Sequence, residues 1–249
     1  MQEYWEIYMK NMEGYPASIQ FNAGISMDIE EIKYTYPTVG FVKIVLKEPT
    51  ENGLLADAEL DEMLHLEDTL EASLIKFRIG KYVGKVVTNG TVTFLYYLQF
   101  TYNWQDFLDF TLEEFKHYSV ISGHQNDGEW KYYYNLLYPN AIEWQIIQNH
   151  KVCDVLKAQG DALHQKRAIE HKVFFPQGEG KEAFIQAIEA DAFIYQEDIK
   201  NDEGILGVKF YRIDKPFYYE IDSLTLSLIE KAALFGGVYD GWETSLVKL

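Results

Sequence analysis

The chain has 249 residues, 47% hydrophobic and 16% aromatic, with 22 basic and 39 acidic side chains for a formal net charge of −17. With 19 Tyr and 15 Phe against 6 Pro and 17 Gly, it holds too much buriable surface for a disordered or low-complexity chain. The acidic balance disfavours binding to a phosphate backbone, which needs clustered Lys and Arg.

The length suits one large or two modest domains with a real core. No run approaches the roughly 20 apolar residues of a membrane span. Glu3 and Glu6 stand where a signal peptide would carry basic and then apolar residues. A single cysteine, Cys153, excludes an internal disulfide or thiolate cage, and a cytoplasmic setting is expected.

In chain order, Tyr4 to Met9 and Ala17 to Phe21 read as strands around the Gly14-Tyr15-Pro16 turn, followed by a strand over Phe41 to Leu46. From Asp57 to Phe77, Met63, Leu66, Leu70, Leu74 and Phe77 recur at steps of 3 and 4, which predicts an amphipathic helix. Two β-rich runs, Tyr82 to Val87 and Thr91 to Phe100, meet at Asn89-Gly90, a dipeptide suited to the positive φ angles of a type I′ hairpin. A helix over Trp104 to His117, with Phe107, Phe110, Leu112 and Phe115 as its apolar positions, leads to a strand at Tyr118 to Ser122. After the turn Asn126-Asp127-Gly128, Trp130 to Leu137 reads as a further strand ending at Pro139.

From Phe41 to Ser122 the order is βαββαβ, and it returns after a connecting helix over 143–164 with Ile147, Val152, Val155 and Leu156 on one side. The second set comprises a strand at Ala168 to Phe175, a helix at Lys181 to Ala192, strands at Phe193 to Gln196 and Ile205 to Ile213, a helix capped by Asp222 or Ser223, and a strand at Val238 to Val247. The expected fold class is α+β, with two tandem ferredoxin-like sandwiches, the first carrying extra N-terminal strands. The expected division is 1–145 and 146–249, the second domain beginning with the connecting helix.

The stretch from Gln165 to Leu249 resembles the regulator of ribonuclease activity B family. The marks are Glu182-Ala183-Phe184, Ile229-Glu230-Lys231-Ala232-Ala233 and above all Gly237-Val238-Tyr239-Asp240-Gly241-Trp242-Glu243-Thr244. The resemblance implies a ferredoxin-like fold and inhibition of ribonuclease E by direct binding. Members of that family continue past this motif into a strongly acidic tail, where this sequence reads Ser245 to Leu249. Residues 1–145 resemble the bacterial domain of unknown function 695, through Trp5, Tyr15-Pro16, Leu66-Glu67-Asp68 and Asp127-Gly128-Glu129-Trp130 with Tyr134, Leu137, Tyr138 and Pro139. Neither resemblance brings catalytic residues with it.

The candidate residues carry alternatives. Tyr239, Asp240 and Trp242 could display an anchor for a protein partner, or Trp242 could be a core residue and Asp240-Gly241 a bulge. Glu67, on the flank of an apolar helix face beside Asp68, could be a base or ligand with a perturbed pKa, or the partner of Arg78, Lys81 or Lys85. His124 and Asp127 flank a turn and could act as a base and its orienter, or serve backbone geometry. Cys153, between Val152 and Val155, fits an inert buried position.

No histidine spacing matches a metal motif and no cofactor motif is present. The sequence thus points first to a cytoplasmic, non-enzymatic protein-binding chain, a regulator of an RNA-processing enzyme. The alternatives are an enzyme with a carboxylate or His/Asp site in an interdomain cleft and a structural module that self-associates through a sheet edge.

Overall fold

A computed structural model describes residues 4–248 and divides into two compact units, one ending at Asn140 and the other beginning at Ala141. The chain is α+β with two antiparallel sheets. No helix of the described residues is long and apolar enough to cross a membrane.

In the first unit, β1 (Trp5–Met12) and β2 (Tyr15–Asn22) form a hairpin, and a 3-10 turn (Ala23–Met27) and short α1 (Ile29–Ile32) lead to β3 (Thr38–Val45). Then come α2 (Asp57–Phe77), β4 (Gly80–Thr88), β5 (Thr91–Leu98), α3 (Trp104–Thr111), a 3-10 turn (Glu113–Phe115) and β6 (Ser119–Asn126). The β4–β5 hairpin turns on Asn89 and Gly90 at φ 46° and 70°, as a type I′ turn requires. Helix α2 runs where its periodicity places it. It buries Met63, Leu66, Leu70 and Leu74 and stops at Arg78 in the left-handed conformation. The helix from Trp104 is shorter than the apolar positions suggest. Its α-helical part ends at Thr111, Trp104 and Leu108 face inward, and Phe110 is 65% exposed.

The six strands lie in the order β1-β2-β4-β5-β3-β6. One face carries α2 and α3, packed on Val42, Ile44, Phe94, Tyr96 and Leu98. The other face is partly covered by the segment from Trp130 to Leu137, which is not the strand that its Tyr-rich composition suggests. It is helical, with a π-helical turn over Tyr133–Leu137. The buried residues Trp130, Tyr133 and Leu137 are spaced by 3 and 4, the period of a helix lying on a surface. Asp127 caps it, its carboxylate accepting from the backbone N–H of Lys131 and Tyr132 at 2.9 Å each. We refer to this segment as the strap.

The second unit contains α4 (Ala141–Ala158), β7 (Arg167–Phe174), α5 (Lys181–Ala190), β8 (Ile194–Lys200), β9 (Leu206–Asp214), α6 (Tyr218–Leu234) and β10 (Val238–Thr244). The sheet order is β10-β7-β9-β8, with Ile169, Val173, Val208 and Phe210 turned toward Phe184, Ile188, Ile221 and Leu228. Leaving out β1 and β2, the first sheet runs second, third, first, fourth strand of its βαββαβ set. The second sheet runs fourth, first, third, second, the same order read from the opposite edge.

Two expectations change here. Helix α6 starts at Tyr218, just after Pro216 and the extended Phe217, so Asp222 and Ser223 lie inside it rather than capping it. Helix α4 buries Ile147, Asn149, Cys153 and Leu156, whereas Val155 is 56% exposed. The buried stripe admits a polar residue because that residue finds partners.

Candidate functional site

The motif on β10 is built around a bulge. Tyr239 pairs with Val173 and Gly241 with Lys172, so Asp240 is the extra residue, exposed and outside the ladder. Gly241 sits at φ 119°, a conformation that side chains resist, which is why glycine follows the aspartate. The flanking aromatic residues are tied into the fold. The Trp242 indole N–H donates to Asn149 Oδ1 at 2.8 Å, and its ring packs on the second core.

Asn149, fully buried on α4, spends all of its hydrogen-bonding capacity. Its Nδ2 donates to Asp222 at 2.9 Å and to Thr225 at 2.7 Å, and its Oδ1 also accepts from Gln145 at 2.9 Å. The other Asp222 oxygen meets His150 Nε2 at 2.8 Å. One buried asparagine therefore joins α4, α6 and β10. The motif's tryptophan is a member of that network.

Tyr239 faces His171 on the neighbouring strand, hydroxyl to Nδ1 at 2.9 Å. The His171 ring is fully buried, stacks on Phe210 and has no hydrogen-bond partner at Nε2. Burial pushes its pKa down to about 3, with nearby Arg212 adding to the effect, so the ring is neutral at physiological pH. Burial and the neighbouring Asp240 hold the Tyr239 hydroxyl well above its ordinary range. The Tyr239–Asp240–Trp242 sequence thus has two side chains turned inward and one carboxylate presented to water. On the outer face of the same sheet, Lys209 contacts Glu170 at 2.8 Å and Glu243 at 3.0 Å, which raises its pKa to about 12.

In the first unit Glu67 is buried against β4, with the Tyr82 hydroxyl donating to Oε1 at 2.6 Å and the Lys85 ammonium ion-paired to Oε2. Asp68, one position along α2, is exposed. His124 and Asp127 are separated by the end of β6. His124 is exposed opposite Gly40, whereas Asp127 is buried as the strap's cap and accepts from the Tyr97 hydroxyl at 2.5 Å. Tyr97 in turn stacks on Trp130 with centroids 3.7 Å apart and planes 8° off parallel. Asp127 therefore meets its needs with two backbone donors and a phenol.

Beside the strap, a groove of about 320 Å³ runs over the uncovered part of the sheet, with Val39, Phe41, Leu95 and Val86 on its floor, Lys43 and Thr93 among them, and His124 at its border. Among the described residues no group of three or more His, Cys, Asp or Glu side chains could hold a metal ion. Cys153 is buried, donates weakly to the Pro216 carbonyl, and has a thiol pKa pushed up to about 12 by burial, reinforced by Asp222 and Asp154. It stays a thiol.

Sequence reasoning missed Asn149, Thr225 and His171. Each is a polar residue in an otherwise apolar stripe. A break of that kind in the stripe is the only signal a single sequence offers.

Comparison with known families places these two units. The chain belongs to a family of unknown function, DUF695, whose model matches residues 3–138. Residues 146–244 match the model of the family described as regulator of ribonuclease activity B. A search of curated proteins finds no relative of significant similarity.

Proposed function

We propose that the protein is a cytoplasmic regulator that binds an RNA-processing enzyme, a ribonuclease, by direct protein contact through its second unit. The observation that carries this reading is the match of residues 146–244, nearly all of that unit, to the regulator of ribonuclease activity B model. The contact region centres on the β10 edge. Asp240 is the group offered to the partner, while Tyr239 and Trp242 set its position from within. An acidic group on a chain of net charge −17 suits a basic surface and speeds encounter with it.

In this reading both units are ferredoxin-like sandwiches. The shared strand order supports that assignment, with the β1–β2 hairpin as an addition to the first. The first domain is the module of unknown function. The second begins with α4, since Asn149 makes that helix part of its core.

The test is inhibition of purified ribonuclease E by the full chain and by Asp240→Ala, with binding followed by interferometry at low and moderate salt. The expected result is inhibition by the parent chain and at least tenfold weaker binding by the variant at unchanged melting temperature. Full ribonuclease activity at a tenfold molar excess of the chain would rule the reading out.

A further inference from the structure

The four sheet edges of the described residues are not protected alike. An edge strand presents a row of unpaired backbone N–H and C=O groups, and soluble proteins blunt such rows with charges, bulges or prolines. Strand β10 carries Asp240 and Glu243 and a bulge at Tyr239/Gly241. Strand β8 carries Glu197, Asp198 and Lys200 and a bulge at Tyr195/Glu197. Strand β1 carries Glu6 and Lys10.

Strand β6, Ser119-Val-Ile-Ser-Gly-His-Gln-Asn126, has no acidic residue, lysine, arginine or proline. It pairs with β3 through eight consecutive residues without a register shift. Every second residue of its outer side therefore offers a free N–H and C=O in a straight row. Asp127 N–H bonds to the Pro37 carbonyl, so the odd positions of the strand face β3 and Val120, Ser122, His124 and Asn126 supply the row, while Ile121 between the first two is 53% exposed.

The space next to this edge is shaped to receive side chains. A cavity of about 610 Å³ opens between α3 and β6, floored by Leu108, Leu112 and Phe115 and bordered on the strand by Val120 and Ser122. Asp109 and Lys116 both line it, Lys116 is ion-paired to Glu113 at 3.2 Å, and outside the cavity α3 and the turn after it add Asp106 and Glu114, which leaves this surface acidic. That charge distribution repels a second copy of the same acidic surface. It attracts a basic chain.

We propose that β6 is a docking edge for an extended, basic segment of another protein. The segment would add as a seventh strand, with its basic side chains on the α3 side, entering the cavity toward Asp109, and its apolar side chains on the opposite side, beside Ile121. Main-chain hydrogen bonds supply affinity in this mode of recognition, and the alternate side chains supply selectivity. The proposal concerns the first unit alone and stands whether or not the second unit regulates a ribonuclease.

The experiment uses the full-length chain and a fluorescein-labelled (Val-Lys)₄ amide as probe, read by fluorescence polarisation. Comparison probes are (Val-Glu)₄ and two (Val-Lys)₄ isomers, one N-methylated at every valine and one at every lysine. A single set of amides faces β6 in a given docking direction. One isomer is thus expected to lose at least tenfold in affinity while the other stays within threefold of the parent. The (Val-Glu)₄ peptide is expected to bind at least tenfold more weakly.

Ile121→Lys places on β6 the kind of charge the other edges carry. Because the site is exposed, this variant is expected to keep its melting temperature and lose at least tenfold in affinity for (Val-Lys)₄. Equal binding of both methylated isomers and the parent, equal binding of the acidic peptide, or no binding at millimolar peptide overturns the proposal. So does a dimeric mass by light scattering that Ile121→Lys returns to monomer, which would assign the edge to a second copy.

Discussion

The two units order their four common strands alike and differ in what lies on the sheet face away from the long helices. In the first unit that face carries a second core. Trp130, Tyr133 and Leu137 of the strap are fully buried, Tyr8 and Tyr133 hydroxyls reach backbone carbonyls of Leu137 and Asn22, and Tyr97 lies flat against Trp130. In the second unit the corresponding face carries the Glu170–Lys209–Glu243 cluster and Lys172, partly open to water. Strand order therefore does not determine layer number. Two additions do so in the first unit: the β1–β2 hairpin, which widens the sheet, and the strap that follows β6.

The sharpest way to break this contrast is to empty the strap. Trp130→Ala removes a fully buried indole, its stacking on Tyr97 and its hydrogen bond to the Tyr36 carbonyl, and is expected to cost about 3–5 kcal/mol. The loss should appear in the urea unfolding of the first unit, with amide-exchange protection in β7 and β9 unchanged. A loss below about 1 kcal/mol would mean that the strap is an ornament on the sheet rather than a layer of the core.

The second unit relies instead on a polar tie. Asn149→Ala leaves the Trp242 indole N–H, Thr225 and one Asp222 oxygen short of a buried partner, for an expected loss of roughly 2–4 kcal/mol. Trp242→Phe, which removes a single donor, should cost less and should not add fully to the first change. Full additivity in that cycle would show that the α4–α6–β10 network does not act as a unit.

His171 gives the second unit a pH dependence with a defined window. The folded-state pKa of about 3 lies below the unfolded value of about 6.5. Both states are neutral above pH 6.5, and the stability is fully present there. As pH falls below 6.5 the unfolded chain takes up a proton that the buried ring refuses, and stability declines by about 1.4 kcal/mol per pH unit toward the folded pKa. Chemical denaturation of the second unit between pH 6.5 and 5 should show this slope, and His171→Leu should flatten it. An unchanged slope in the variant would assign the dependence to other groups.

Much of this architecture is legible in the sequence where one physical signal dominates. The period of Met63, Leu66, Leu70 and Leu74 gives α2, and Asn89-Gly90 gives the β4–β5 turn. The strap is misread because Tyr132, Tyr133 and Tyr134 favour strands by composition. Its conformation is set by a distant fact, the Asp127 cap and the aromatic surface of Tyr97 beneath it. Asp222 is misread as a cap because caps and buried network members draw on the same residue types. Only the fold brings Asn149 and His150 to it. The Asp240-Gly241 bulge is one of the two alternatives the motif offers, since a glycine next to a polar residue is what a bulge needs. The inward commitments of Tyr239 and Trp242 depend on His171 and Asn149, 68 and 93 residues away.

The smallest expected effect is on the open face of the second sheet. Glu243→Gln weakens the pairing with Lys209, but the Glu243 side chain is half exposed and Lys209 retains Glu170. The expected cost is about 0–1 kcal/mol, falling further in 1 M salt as the surviving charges are screened. The neighbouring cations hold the Glu170 and Glu243 pKa values below the usual range, chiefly through Lys209, so their contribution is present above about pH 4.5 and lost as pH falls through the lowered values. That window lies below the onset at His171, and the two can be separated by titration. A double-mutant cycle with Lys209→Met measures the pair directly. A coupling above about 2 kcal/mol would mean that this face is shielded from water. The contrast between a covered sheet in the first unit and an open one in the second would then fail.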